Sequence, residues 1–300
     1  MYKAYFGLNR NPFEITPDPA FFYGTPRHNE ALASLCHGIE RRKGFIVVTG
    51  EVGTGKTLLA RCLFRTLKWH KISFAYVFNP RLSVLEFLQY SMNDMGLPFA
   101  GKGKGELLSE LNRYLISQYA QKSTVVVVVD EAHLLSWELL EEIRLLTNLE
   151  TEQQKLLQIV LFGQPELDGK LDCPELRQLK QRIGLRCRLT PLTREDTQKY
   201  ISLRLWLAGA TDRHRNIFSE QAVELIHQYS GGIPRLVNTI CEAALIASFA
   251  LKGPVVAPET IEEIAEEFCL DKSSLNKKEV ASDSGVATPA AKIDIALEAV

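Results

Sequence analysis

A chain of 300 residues, 46% hydrophobic and 24% charged, has the composition of a soluble globular protein with one large domain or two unequal ones. Its 35 Lys and Arg are balanced by 36 Asp and Glu, so no global field draws it to polyanions, and the expectation is that nucleic acid is not bound. The opening MYKAYFGLNRNPF has no apolar signal core, and no apolar run approaches the ~20 residues that span a bilayer, which predicts a cytoplasmic protein that meets a membrane only through a partner.

Residues 1–44 read as an N-terminal strap and a first helix. From Phe45 to Leu189 short apolar runs alternate with longer amphipathic stretches: FIVVT (45–49), ISFAYVF (72–78), VVVVVD (125–130), LQIVLF (157–162) and GLRCRL (184–189). Near-continuous apolar strands separated by helical segments predict an α/β core over 45–192, a parallel five-stranded sheet covered by helices on both faces. Between the second and third runs, GKGKGELL (101–108) reads as a solvated loop before a helix at 106–120, with Lys102 and Lys104 unencumbered by acids. After Pro191 the strands stop. Thr193 and Asp196 form a helix cap, Ser219 caps a second helix that ends at Gly231 and Gly232, and further helices follow Pro234 and Pro258, which predicts a small all-helical lid domain over 193–270. Residues 271–300 shift to Ser, Lys, Ala, Gly and Pro and read as a disordered tail. The six cysteines include no CxxC pair and lie among apolar neighbours, so they read as buried thiols, and the histidines show no zinc spacing.

Gly50-Glu51-Val52-Gly53-Thr54-Gly55-Lys56-Thr57 fits G-x-x-x-x-G-K-[ST], after a strand and before the helix that opens at Leu58. In this pattern backbone N–H groups surround a β-phosphate, Lys56 reaches the β and γ oxygens, and the Thr57 hydroxyl ligates Mg²⁺, so residues 50–58 are the expected ATP-binding stretch. Asp130-Glu131 ends the third strand at the sheet edge where open α/β folds bind ligands. Asp130 is expected to hold Mg²⁺ through water and Glu131 to act as general base. Asp130-Glu131-Ala132-His133 also spells a helicase box, but the chain has no room for a second motor domain. Gln164, at the end of the fourth strand, stands beside the acidic pair if those two strands are neighbours. In RQLKQRIGLRCR (177–188), residues 175–183 have a helical pattern with Leu176, Leu179 and Ile183 on one face, and the strand that follows sets Gly184, Arg186 and Arg188 against Leu185, Cys187 and Leu189.

The order of these motifs resembles the AAA+ ATPases. More closely, YFGLNRNPFEITPDPAFFYGTPRHNEAL, GEVGTGKT, VVDEAH, NLETEQQKLLQIVLFGQPEL, LRQLKQRI and GGIPRLVN are similar to the ExeA/GspA-type ATPases of general secretion, and within that group to those of mannose-sensitive haemagglutinin (MSHA) pilus biogenesis. The resemblance covers residues 1–268. It implies an ATP-hydrolysing, Mg²⁺-dependent motor or switch that assists assembly of a secretion or type IV pilus apparatus. It makes Gln164 the first sensor and Arg235 the second, reaching from the lid to the γ-phosphate. It makes Arg182, with Arg177 as alternative, the arginine finger that completes a neighbour's site. It implies a ring-like homo-hexamer and an inner-membrane assembly protein as partner. Asn11-Pro12-Phe13 packs either near the adenine or as a plain strap. Longer members carry a peptidoglycan-binding domain after the ATPase, whereas only residues 271–300 follow the lid here. An ATP-dependent DNA-binding regulator of transposition is the competing reading, and the near-neutral charge weighs against it.

Overall fold

In the computed structural model, which describes residues 2–68, 71–211 and 217–272, the five apolar runs form one parallel sheet. The expected tail lies, from residue 273 on, outside the described residues. Strands β1 (Phe45–Gly50), β2 (Ile72–Val77), β3 (Thr124–Val129), β4 (Leu157–Gly163) and β5 (Ile183–Leu189) stand in the order β2-β3-β4-β1-β5. Placing β4 between β3 and β1 creates a switch in strand order, and the loops leaving β1, β3 and β4 therefore meet at one sheet edge.

The period of two in each strand sends alternate side chains to opposite faces. Ile46, Val48, Val126, Val128, Val160 and Phe162 pack under α2 (Pro26–Glu40) and α3 (Lys56–Leu67). Phe45, Val47, Val127 and Leu161 pack under α4 (Val84–Asp94), α5 (Lys104–Ala120) and α6 (Trp137–Leu146) on the other face. The interior strands β1 and β4 are buried at every position, which is why they read as unbroken apolar runs. Edge strand β5 alternates as expected, with Gly184, Arg186 and Arg188 exposed and Leu185, Cys187 and Leu189 turned to the core.

Three local expectations need correcting. The lysines of the glycine-rich loop are paired: Lys102 Nζ donates to Glu110 at 3.1 Å, and Lys104 Nζ donates to the buried Glu142 carboxylate at 2.5 Å. The helix expected at 175–183 is two short pieces, a 3₁₀ turn at Pro174–Leu176 and α8 (Arg177–Lys180), preceded by α7 (Glu166–Leu171). Its apolar face survives in the buried Leu176 and Leu179, but Ile183 already belongs to β5. Of the cysteines, only Cys62 and Cys241 are fully buried; Cys36, Cys173 and Cys187 are half-buried, Cys269 is exposed, and all are free.

The lid consists of α9 (Arg194–Leu207), α10 (Glu220–Ser230), α11 (Pro234–Ala250) and α12 (Pro258–Glu267). Thr193 and Ser219 cap α9 and α10 by accepting from the backbone N–H of Asp196 and Ala222. The start of the strap packs on the lid rather than on the sheet, which only Phe22 near its end reaches. It begins with α1 (Tyr2–Tyr5), and Phe6, Leu8 and Phe13 enter the lid core, where Phe13 meets Phe218 edge to face at 5.9 Å. Tyr2 donates to Glu242 at 2.7 Å, and Asn9 N–H donates to the Ala208 carbonyl at 2.7 Å. Gly232 joins lid to core: at φ 71° its carbonyl accepts from Leu192 N–H at 2.8 Å, and a Cβ there would stand 2.0 Å from the Leu192 oxygen.

Candidate nucleotide site

The turn from β1 into α3 forms a loop whose exposed rim is Glu51 and Val52. Lys56 Nζ, buried beneath it, donates to the carbonyls of Gly50 at 2.8 Å and Glu51 at 3.0 Å, and Thr54 Oγ1 donates to Glu51 O at 2.8 Å. Burial pulls the Lys56 ammonium below its usual range, against the nearby carboxylates of Glu131 and Asp130, which favour its charge. Leu58 is the third residue of α3 and half-buried.

The acidic pair faces this loop across the sheet edge. Thr57 Oγ1 donates to Asp130 Oδ2 at 2.7 Å, and the Tyr76 hydroxyl donates to the same oxygen at 2.8 Å. The Asp130 Oδ1 accepts from Glu131 N–H at 2.9 Å, so the carboxylate is fixed at both ends. Burial and the Asp130 charge raise the Tyr76 phenol far above its ordinary range, which keeps it a hydrogen donor. Glu131 itself is left-handed at φ 50° and ψ 35°, a strained conformation for a residue with a Cβ. Gln164 comes up from β4 as the strand order requires: its Nε2 lies 3.4 Å from Glu131 Oε2 and 3.1 Å from His133 Nε2.

The lid closes the third side. Arg235 N–H donates to Gly53 O at 3.3 Å, and Gly53, at φ 82°, has no room for a Cβ, which would fall 2.8 Å from Arg235 Cβ and 2.9 Å from Ile233 Cγ2. Arg235 therefore lies on the phosphate loop with its side chain exposed. Arg182 is elsewhere: its Nη1 donates to Thr147 Oγ1 at 2.8 Å and Asn148 Oδ1 at 2.5 Å, at the far end of α6. It precedes β5, whereas the phosphate loop follows β1; at ~3.3 Å per strand residue the two ends of the sheet are about 20 Å apart. Arg177 is exposed on α8, at that same end. Asn11 borders a cavity of about 590 Å³ between the strap and Arg61 of α3, while Phe13 points into the lid.

Two residues at the site escaped the sequence. His28 of α2 is buried; its Nε2 lies 3.0 Å from Thr54 O and its Nδ1 2.7 Å from Thr25 Oγ1. A carbonyl can only accept, so Nε2 carries the ring proton and Nδ1 accepts from the Thr25 hydroxyl. Burial lowers the pKa of His28, against the opposing pull of the Thr54 carbonyl and the Asp196 charge. Tyr76 is the other. No motif marks either residue; their one signal is a polar-tipped ring within an otherwise apolar or capping stretch.

These residues fit a nucleoside triphosphate and a hard divalent cation. The loop has a glycine where a side chain would collide with the lid, and a buried cation satisfied only by carbonyls of the loop itself. No group of three or more His, Cys, Asp or Glu among the described residues could hold a metal alone. Thr57 and Asp130 offer a partial oxygen set, suited to an ion that draws its other ligands from phosphate and water.

A family model described as an AAA domain matches residues 39–171. General secretion pathway protein A of Aeromonas hydrophila is 46% identical over 251 residues, 83% of this chain and 45% of that protein. Over the shared span the chain is similar to the ExeA/GspA-type AAA+ proteins. It spans about half the length of that relative. ATP-dependent target DNA activator B of Escherichia phage Mu is 26% identical over 261 residues, 85% of the chain and 76% of that protein. Among solved structures, the Aeropyrum pernix ORC1 protein in complex with DNA superposes with a TM-score of 0.66 at 18% identity, covering 86% of this chain and 69% of that one, a likeness of fold. Among the described residues, no helix is long and apolar enough to cross a membrane.

Proposed function

We propose that the chain is a Mg²⁺-dependent ATP hydrolase that acts as a motor or switch in assembling a secretion or type IV, MSHA-like pilus apparatus. The observation that carries the hydrolase is the convergence of Thr57 and Tyr76 on one Asp130 oxygen, with Glu131 and Gln164 alongside and Arg235 over the phosphate loop. Secretion or pilus assembly as the setting draws on the 46% identity to general secretion pathway protein A. Bound Mg²⁺ would neutralise phosphate charge and be held by Thr57 and, through water, Asp130. Lys56 exchanges its loop carbonyls for phosphate oxygens, and residues Gly50–Thr57 turn their N–H groups to the same anion. Glu131 takes the proton of the attacking water, Gln164 orients that water or the γ-phosphate, and Arg235 reports the γ-phosphate to the lid.

The site contains no arginine from the sheet end that carries Arg182, so a neighbouring copy supplies it, and we infer a closed homo-oligomer, a hexameric ring. The ring works in the cytoplasm and meets the membrane through an inner-membrane assembly protein. The test is Glu131→Gln: hydrolysis falls by at least about a hundredfold while ATP binding persists, and an unchanged rate removes Glu131 as base. Duplex DNA is added to the same assay; ATP-dependent, salt-sensitive binding would favour a DNA-acting relative of the Mu activator instead.

A further inference from the structure

His133 has no part in the chemistry assigned above, yet it is built into the site. Its side chain is only 13% exposed, and Nδ1 lies 3.4 Å from Glu131 Oε2. That nitrogen is buried and makes no hydrogen bond, because its 3.4 Å contact with Glu131 lacks hydrogen-bond geometry. The backbone that carries the ring is fixed: Lys170 Nζ donates to the carbonyls of His133 and Leu135, both at 2.8 Å, and Leu134 N–H closes a 3₁₀ turn on Glu131 O at 2.9 Å.

The proton positions follow from the neighbours. Gln164 Nε2 carries two hydrogens; one faces Glu131 Oε2 at 3.4 Å and the other faces His133 Nε2 at 3.1 Å. A nitrogen facing an amide N–H accepts, so neutral His133 carries its hydrogen on Nδ1, the ring nitrogen that lies 3.4 Å from Glu131 Oε2. The Gln164 amide and the His133 ring therefore converge on one oxygen of one carboxylate, whose own backbone is strained at φ 50°.

We propose that His133 is a positioning residue for Glu131: with Gln164 it engages Oε2 and leaves Oε1 to receive the proton of the attacking water. The proposal rests on the reading of Glu131 as general base. It gives the strained turn a purpose, because only a turn this tight returns the ring three residues after Asp130 to the carboxylate one residue after it. A long contact that shortens when the site closes satisfies the buried Nδ1 and restrains the base when water is in place.

The experiment is steady-state ATP hydrolysis with saturating Mg²⁺ by the full chain carrying His133→Ala, His133→Asn or His133→Gln, beside Glu131→Gln. An Asn amide nitrogen falls near the place of the ring Nδ1, whereas a Gln amide falls near Nε2. His133→Ala is expected to lower kcat by about tenfold or more, as misorientation of a reacting group does, with the KM for ATP within about twofold. His133→Asn is expected to recover most of that loss and His133→Gln none of it. Because Asn and Gln differ only in where the amide falls, their comparison stands even if the alanine variant does not fold. Equal activity of the Asn and Gln variants, an alanine variant with wild-type kcat, or a loss confined to KM would overturn the inference. If Glu131→Gln is inactive while His133→Ala is normal, only the positioning role fails; if Glu131→Gln hydrolyses normally, the base assignment fails and takes this inference with it.

Discussion

Asp130 Oδ2 takes hydrogens from two hydroxyls, and one of them, on Tyr76, has no counterpart in the motifs. Tyr76→Phe removes that donor and leaves the ring packed on Phe64, 5.5 Å away. With one donor fewer the carboxylate holds its water ligand less firmly, so the Mg²⁺ concentration for half-maximal hydrolysis is expected to rise about tenfold with little change in melting temperature. A Mg²⁺ titration of the rate checks this, and an unmoved midpoint would confine Tyr76 to packing. His28 makes a second prediction, with a sign. Burial lowers its pKa in the folded chain, so its contribution to stability is full above the unfolded value of about 6.5 and is lost as pH falls from there toward the folded value. His28→Gln keeps a donor for Thr54 O without a titrating ring, and melting curves from pH 7.5 to 5 should fall less steeply for it than for wild type. The phosphate loop and the acidic pair could be read from the chain because their spacing is contiguous. His28 and Tyr76 could not, because each acts through a contact between separate elements, 26 and 54 residues from its partner along the chain.

At the scale of elements, the five strands were legible because interior parallel strands must be apolar on both faces, and the runs ended within a residue or so of the observed limits. Their lateral order was not, since nothing in a run of valines names its neighbour. That order is what sets Gln164 between the phosphate loop and Glu131. The strap shows the same limit. Asn11-Pro12-Phe13 left two readings open in the sequence, and burial of Phe13 in the lid core favours the strap over adenine contact for that ring. Phe13→Ala should destabilise the lid by about 3–5 kcal/mol, the cost of truncating a fully buried phenylalanine. Protease sensitivity of the lid helices would report it, and unchanged cleavage would mean that the strap only rests on the lid.

For the molecule as a whole, Arg182 sits about 20 Å from its own phosphate loop by strand length, so its place in hydrolysis is tested only between copies. Arg182→Ala and Glu131→Gln are each expected to be inactive, and an equimolar mixture to regain a fraction of wild-type activity wherever an intact arginine meets an intact base. Specific activity should also climb with protein concentration. Mixtures as dead as their components would place the finger elsewhere, with exposed Arg177 next to be tried. The basic run that holds both residues is less of a charge patch than it looks. Arg186 pairs with Asp168 at 3.2 Å, Lys180 with Asp172 at 2.8 Å, and Asp168 accepts from Thr49 at 2.7 Å beside the phosphate loop.

The strap's lodging in the lid has a mechanical result. The backbone passes between the two bodies twice, once where residues 14–25 run into α2 and again where residues 190–193 run into α9. Two crossings tether the lid to the sheet where one would leave it on a single thread. Because Phe6, Leu8 and Phe13 are lodged in the lid core, any movement of the lid over Gly53 has to carry the strap with it.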